Sequence, residues 1–172
     1  MKKYIKYAII LVIIIGVLLG LKYLLTPSMK TQIEEYLVSQ GYNSTEYEDL
    51  YEKNDTENKK YSFSLADYTF MLNSDDDDND MNKSLTATYN YKTESITYSY
   101  RVYNSESLNV YFKGTYKDEE FTCEKEFSSA TISDVEQENI CSLARIDIKM
   151  FDLQAKTLFT KYKYIDYIKN RW

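Results

Sequence analysis

Residues 85–102 of the chain read LTATYNYKTESITYSYRV. Apolar or aromatic side chains take every second position on both sides of a short polar connection at Thr93 and Glu94. This alternation is typical of a β-strand that buries one face, and two such strands joined by a few residues pair as an antiparallel hairpin. The alternating residues are Leu85, Ala87, Tyr89 and Tyr91, then Ile96, Tyr98, Tyr100 and Val102.

The period of two continues on both sides of this hairpin. It runs through residues 61–72, where a change of parity at Ala66-Asp67 indicates a β-bulge or a corner, and through residues 108–116. A fifth strand is predicted over residues 121–127. Its inward-facing residues are Phe121, Cys123 and Phe127. The connections are of hairpin length, so we expect an antiparallel meander of about five strands.

The pattern changes to a helical one after residue 130. Ser133 and Glu136 have the spacing of a capping box, and no glycine or proline follows them. The apolar residues that then recur at steps of three and four are Ile140, Ala144, Ile148, Phe151, Ala155, Leu158, Tyr162 and Ile165. This stripe predicts a long C-terminal helix, or two helices in line, packed on the sheet of an α+β fold. Alternation over residues 146–150 leaves a strand as the alternative for that piece.

The N-terminal region is apolar and flanked by lysines. Residues 1–6 carry three lysines, and residues 7–25 could span about 30 Å as one helix. We therefore predict a transmembrane helix over residues 7–25, with residues 1–6 in the cytoplasm and the remainder extracytoplasmic, at the plasma membrane. The competing interpretation is a signal peptide cleaved after Ser28.

Residues 26–60 are predicted to form a short helix and a polar connector. Thr31 and Glu34 have capping-box spacing, and Gly41 would end a helix over residues 32–40. The rest of the chain, residues 61–172, is expected to form the extracytoplasmic domain and to pack with residues 31–41. The layout of residues 1–42 resembles that of small envelope proteins of low-GC Gram-positive bacteria, a resemblance that includes no functional residue.

The composition excludes several kinds of catalytic and metal site. The chain has 172 residues and no histidine, which rules out Ser-His-Asp and Cys-His catalytic sites and histidine-bearing metal sites. Its two cysteines are too few for an all-cysteine zinc site, which needs four thiolates. The four glycines never cluster as a phosphate-binding loop requires. We expect no cofactor.

An aspartate run provides the only candidate metal ligands. Asp76, Asp78 and Asp80 are spaced like the first ligands of an EF-hand calcium loop. Met81 occupies the position that needs glycine, and Ala87 occupies the position that needs a bidentate glutamate. The alternative is a solvated acidic loop between strands.

The two cysteines are predicted to form a disulfide. Cys123 lies on the fifth strand and Cys141 on the first turns of the C-terminal helix, in a part of the chain expected outside the membrane. The alternative is two buried free thiols that serve as small hydrophobic residues.

Charge is distributed unevenly along the chain. Residues 26–153 hold 12 basic and 26 acidic side chains, a net charge of −14, which disfavours nucleic acid as a partner. The C-terminal tail is basic and aromatic, a pattern suited to an anionic membrane surface or an anionic wall polymer. The candidate contact residues are Lys156, Lys161, Lys163, Lys169, Arg171 and Trp172. Alternatively, these cations complement the negative C-terminal end of a helix.

Two functions remain open at this point. The first is a non-enzymatic, membrane-anchored interaction or accessory module of the bacterial envelope, in contact with an envelope protein or an anionic polymer. The second is a carboxylate-dependent hydrolase acting on cell-wall glycans, which would need a cleft with two acids, one of raised pKa.

Overall fold

The computed structural model describes residues 12–17, 21, 26–78, 81–104, 108–159 and 162–170. The chain forms two compact units, Met1–Tyr36 and Leu37–Trp172. The boundary between them falls inside helix α1, Met29–Ser39.

The second unit has the predicted α+β class. Its described residues form one antiparallel sheet of nine strands. The strands are β1 (Asn43–Ser44), β2 (Leu50–Thr56), β3 (Lys59–Ser64), β4 (Thr69–Asp78), β5 (Met81–Asn90), β6 (Ser95–Tyr103), β7 (Asn109–Lys117), β8 (Glu120–Phe121) and β9 (Glu124–Ser128). Neighbours in the sheet follow chain order from β1 to β8, and β9 pairs with β7 beside β8.

One face of the sheet is almost entirely apolar and aromatic. The predicted hairpin is β5 with β6, in which Leu85 lies opposite Tyr100 and Tyr89 opposite Ile96. Pairing with β4 and β7 extends the same face in both directions. Its buried members include Phe63, Phe70, Leu72, Leu85, Ala87, Tyr89, Ile96, Tyr98, Tyr100, Val102, Val110, Phe112 and Tyr116.

Two helices follow the sheet. Helix α2 spans Asp134–Leu158 and begins with the predicted capping box, since Ser133 accepts from the Glu136 backbone N–H and the Glu136 side chain accepts from the Ser133 backbone N–H. Helix α3 spans Tyr162–Lys169. Between them Phe159 has an extended backbone, which ends α2.

Helix α2 packs on β5 and β6 through the first part of the predicted stripe. Ile140, Ala144, Ile148, Phe151 and Ala155 are all buried. The Phe151 ring stacks on the Phe70 ring of β4, with centroids 5.3 Å apart. The long C-terminal helix on the sheet is therefore confirmed, with helix rather than strand over residues 146–150.

The stripe does not continue beyond Ala155 as predicted. Leu158 and Ile165 are half-buried, and the Tyr162 side chain lies outside the described residues. The chain buries Phe159, Tyr164 and Ile168 instead. The extended residue at Phe159 resets the helical phase, because it inserts a non-helical step between α2 and α3.

The prediction of about five strands is wrong, since the described residues form nine. The predicted polar connector contains β1 and β2, whose side chains are half-buried or exposed and so lack the apolar alternation that a core strand shows. The change of parity near Ala66 is a hairpin between β3 and β4 rather than a bulge within one strand. Tyr68, with φ of 53°, lies in that turn.

The predicted fifth strand is two short strands separated by Thr122 and Cys123. A register shift between Tyr111 and Phe112 places Phe127 opposite Tyr111, where it is exposed rather than inward-facing. At the break between β8 and β9 the chain passes close to Gly114 of β7, where a Cβ atom would collide with the Thr122 carbonyl. The Tyr98 hydroxyl donates to the Thr122 carbonyl at 2.7 Å.

The first helix starts earlier than predicted. The Ser28 hydroxyl accepts from the Thr31 backbone N–H at 3.1 Å, so Ser28 rather than Thr31 caps α1. Gly41 has a φ of 87° and ends the helix as expected, since the Tyr42 N–H donates to the Leu37 carbonyl.

The predicted transmembrane segment lies mostly outside the described residues. Of residues 7–25, the structure describes 12–17 and 21, which are helical and exposed. Within the described ranges no helix is long and apolar enough to cross a membrane. The anchor stays a prediction.

The two cysteines are joined as predicted. Cys123 and Cys141 have sulfurs 2.03 Å apart and Cα atoms 5.9 Å apart. The bond ties the segment between β8 and β9 to the second turn of α2.

The packing of α2 on the sheet through Phe151 can be tested by truncating this side chain. Phe151→Ala should lower the free energy of unfolding of the full chain by about 3 to 5 kcal/mol, because it removes a buried ring and leaves a cavity. Leu153→Ala, on the same helix at a residue that is 64% exposed, should change it by less than about 0.5 kcal/mol. Urea denaturation followed by circular dichroism measures both. Equal midpoints for the two variants would contradict this packing.

The disulfide closes a loop with a sequence separation of 18 residues. Replacing both cysteines by serine should lower the free energy of unfolding by about 3 kcal/mol in the chain-entropy model. Mass spectrometry of the chain from its native compartment should find no free thiol before reduction. Alkylation of both cysteines without reductant would show that the bond does not form there.

Candidate ligand-binding cleft

A cleft of about 430 Å³ opens between α2 and one end of the sheet. It lies where β2 turns into β3 and where β4 approaches its hairpin with β5. The lining residues are Thr56, Asn58, Lys59, Tyr61, Leu72, Ser74, Asp75, Asp76, Lys83, Leu85, Tyr100, Leu143, Ile146, Asp147, Met150, Phe151 and Gln154. Its volume is in the range of small-ligand sites.

Tyr100 provides a buried polar group in the wall of this cleft. The residue is 1% exposed, and among the described residues its hydroxyl has no hydrogen-bond partner of normal geometry. Burial raises the pKa of Tyr100, and the carboxylate of Asp147 raises it further. Asp147 on α2 is the hydrogen-bonding neighbour of this hydroxyl, in a geometry looser than that of a normal hydrogen bond.

Asp147 faces the same space from α2. Burial raises the pKa of its carboxyl, while the nearby Tyr100 hydroxyl lowers it in part. The charges of Lys83 and Lys59 also lower this pKa, and the charge of Asp76 raises it. The net direction is upward, so the surrounding groups do not fully compensate the loss of water around this carboxylate.

The remaining charges of the cleft lie nearer its rim. Asp76 lies directly opposite Lys83 in the pairing of β4 with β5, a position in which opposite charges attract. Asp75 and Lys59 are exposed. Asp75 alternates with Asp76 along β4, so its side chain lies on the opposite face of the sheet. The lining therefore holds two carboxylates, of Asp76 and Asp147, and two ammonium groups, of Lys59 and Lys83.

The mouth of the cleft is formed by an uncovered apolar surface of α2, here called the helix stripe. It consists of Leu143, Ile146, Met150 and Leu153, which are 43% to 64% exposed and lie at steps of three, four and three. The first three line the cleft. This stripe is separate from the buried stripe that contacts the sheet, so α2 has more apolar surface than its own packing uses.

Only Asp76 of the three candidate calcium ligands has a side chain among the described residues. Asp76 belongs to β4, which corrects the prediction of a loop over the aspartate run. The Asp78 side chain and Asp80 lie outside the described residues. Where side chains are described, no group of three or more metal-ligating residues occurs.

Two lysines of the basic tail pair with carboxylates of the domain. Lys156 donates to Asp152 at 2.6 Å, and Lys169 on α3 pairs with Glu94. Lys163 lies 5.1 Å from the Tyr164 ring centroid. The other candidates, Lys161, Arg171 and Trp172, lie outside the described residues.

Sequence reasoning placed Tyr100 in the core, which the structure confirms, and did not single out Asp147. The second apolar stripe of α2 could have indicated the cleft from the sequence. One apolar stripe is enough to pack a helix on a sheet, so a second one leaves an apolar surface that is free to bind another molecule. The pairing of Tyr100 with Asp147, in contrast, depends on side-chain geometry that periodicity does not encode.

The effect of Asp147 on stability should depend on pH. A carboxyl with a raised pKa in the folded state stabilises the fold only at pH values below its unfolded pKa, and this contribution is lost as the pH rises through the folded pKa. Asp147→Asn should therefore be more stable than the native chain at pH 7, and the difference should shrink as the pH falls toward 3. Urea midpoints at a series of pH values measure it.

Glu138→Gln makes the same change of charge at an exposed residue of α2 and serves as the control. Its free energy of unfolding should stay within about 0.5 kcal/mol of the native value across this range. If Asp147→Asn is instead less stable than the native chain at pH 7, then neighbouring groups fully compensate the Asp147 carboxylate for its loss of water, which contradicts the prediction.

Comparison with known proteins gives no assignment: the chain matches no protein-family model, no curated protein and no solved structure. Its function must therefore be inferred from the side chains of the cleft and the helix stripe.

Proposed function

We propose that this chain is a membrane-anchored extracytoplasmic interaction module that holds a partner protein of the envelope at the cleft and the helix stripe. The observation that carries the proposal is the uncovered apolar surface of the helix stripe, which lines a cleft that also contains the Tyr100 hydroxyl and the Asp147 carboxyl. Ligand sites in proteins commonly combine an apolar lining with a small number of polar groups.

Charge complementarity indicates the kind of partner. The net charge of −14 over residues 26–153 attracts basic surfaces and repels acidic ones. The basic tail supplies little opposite charge in its described part, because Lys156 and Lys169 pair with carboxylates of the domain. A basic, partly apolar protein segment therefore fits this surface better than an anionic polymer does.

The anchor and the location outside the membrane are part of the proposal. They rest on the lysine-flanked apolar run over residues 7–25 and on the lysines that precede it. A disulfide between Cys123 and Cys141 supports an oxidising compartment.

One experiment addresses location and partner together. Ile146→Cys, made in the full chain with its native cysteines retained, should react with a membrane-impermeant maleimide–diazirine reagent on intact cells. Photolysis should then give a discrete crosslinked protein. Thr97→Cys, an exposed residue of β6, should react equally but give no such crosslink.

Two results would count against the proposal. Reaction of both cysteines only after lysis would place the domain inside the membrane barrier. Reaction on intact cells with the same crosslinks from both positions, or with none, would mean that the helix stripe does not mark a partner site.

The cleft also supports a second candidate, a carboxylate-dependent hydrolase of cell-wall glycans. Asp147 has a raised pKa, as a general acid requires, and Asp76 lines the same space. The interaction module is preferred because the apolar mouth serves binding and has no role in acid–base chemistry.

The two candidates differ in what the purified chain does to glycan strands. We expect no new reducing ends when the detergent-solubilised full chain is incubated with isolated cell-wall glycan. Hydrolysis that falls by about 10²-fold or more in Asp147→Asn, with Glu138→Gln unaffected, would instead establish the hydrolase.

A further inference from the structure

We propose that the partner segment covering the helix stripe is an amphipathic α-helix that packs lengthwise on α2, as two helices do in a coiled coil. This inference rests on the proposed function, because it names the secondary structure of the segment that the module would hold. Three observations carry it: the spacing of the helix stripe, its polar borders, and the contacts that fix α2 at both ends of the stripe.

The helix stripe has the spacing of a coiled-coil seam. Its members follow one another at steps of three, four and three, so Leu143 and Met150 occupy the a positions of two successive heptads. Ile146 and Leu153 occupy the d positions. At about 100° per residue, the four side chains span about 80° of the helix circumference. A stripe that packs on a core is wider, about 100° or more, whereas an a/d stripe is the narrow seam of two paired helices.

Polar side chains border the stripe on both sides. Asp147 and Gln154 occupy the e positions on the side of the cleft. Lys149 and Lys156 occupy the g positions on the other side, and both are exposed. Polar residues at e and g are typical of coiled coils, and here they confine the apolar contact to the a and d positions. The stripe therefore fits a narrow apolar ridge better than a broad apolar face.

A second helix matches the stripe along its whole length, and an extended chain does not. Successive stripe residues lie about 4.5 or 6 Å apart along the axis of α2, at about 1.5 Å per residue. Apolar residues with heptad spacing on a second helix have the same separations, so each of them meets the stripe. An extended chain presents a side chain to one side every 6.6 Å or so, and it loses this register within the roughly 15 Å from Leu143 to Leu153.

Helix α2 is held in place at both ends of the stripe. The disulfide of Cys141, two residues before Leu143, ties the helix to the segment between β8 and β9. The Tyr91 hydroxyl donates at 2.6 Å to the carbonyl of Ala155, two residues after Leu153. A helix fixed in this way does not have to be ordered on binding, which lowers the cost of association.

The test determines the secondary structure of the partner segment from the residues that become crosslinked. A diazirine-bearing amino acid replaces Leu143 or Met150, one at a time, in the full chain, and intact cells are photolysed. Mass spectrometry then identifies the partner and the residue that each position labels. Ile146 and Leu153, which are also seven residues apart, form a second pair. Glu138, an exposed residue about 140° around α2 from Leu143, is the control position.

We expect all four stripe positions to label one protein, at sites about seven residues apart within each pair. Seven residues of a helix cover the roughly 10.5 Å between the two positions of a pair on α2. Sites that advance along the partner in the same direction as on α2 indicate parallel helices, and sites in the reverse order indicate antiparallel ones. The control position should not label this protein.

An extended partner would instead give sites about three residues apart, at about 3.3 Å per residue. That result would overturn the inference and leave the proposed function in place, as would sites scattered over separate segments of one protein. Equal labelling from Glu138 would also overturn it, because contact would then not follow the seam. If no position labels a discrete protein, the proposed function fails as well.

Discussion

Phe151 of α2 stacks on Phe70 of β4, and this contact fixes where the helix crosses the sheet. The buried stripe of α2 extends from it in both directions, and the Tyr91 hydroxyl donates to the Ala155 carbonyl at 2.6 Å near the end of the helix. Because the helix is held over β5 and β6, it leaves the hairpin end of β4 and β5 uncovered on the same face. The cleft is therefore a result of how α2 is placed.

Much of the fold could be predicted because burial imposes a period on the sequence. Leu85–Val102 alternates strictly, and Ser133 with Glu136 marks the start of α2, so the central hairpin and the helix were both readable. Strands β1 and β2 were missed because a sheet edge does not need to bury either face fully. The helical phase after Ala155 was missed because one extended residue, Phe159, shifts it.

The site was harder to predict than the fold, for a physical reason. Tyr100 fits the buried parity of β6, and nothing in that parity shows that its hydroxyl meets Asp147 of α2. Asp147 interrupts no pattern, since it lies between the two apolar stripes of α2. Tyr100 is buried and Asp147 is half-buried with a raised carboxyl pKa, an arrangement that costs stability in the free protein and is typical of binding sites.

The two edges of the sheet limit how copies of the chain can associate. At one edge, β1 covers only Tyr51 and Glu52 of β2, and the rest of that strand is polar apart from Leu50. At the other, β8 has two residues and β9 carries Glu124, Lys125 and Glu126, all exposed. Short, charged edges are poor templates for adding a further strand. Copies held side by side should therefore resist edge-to-edge aggregation, even though each carries a large sheet rich in tyrosine.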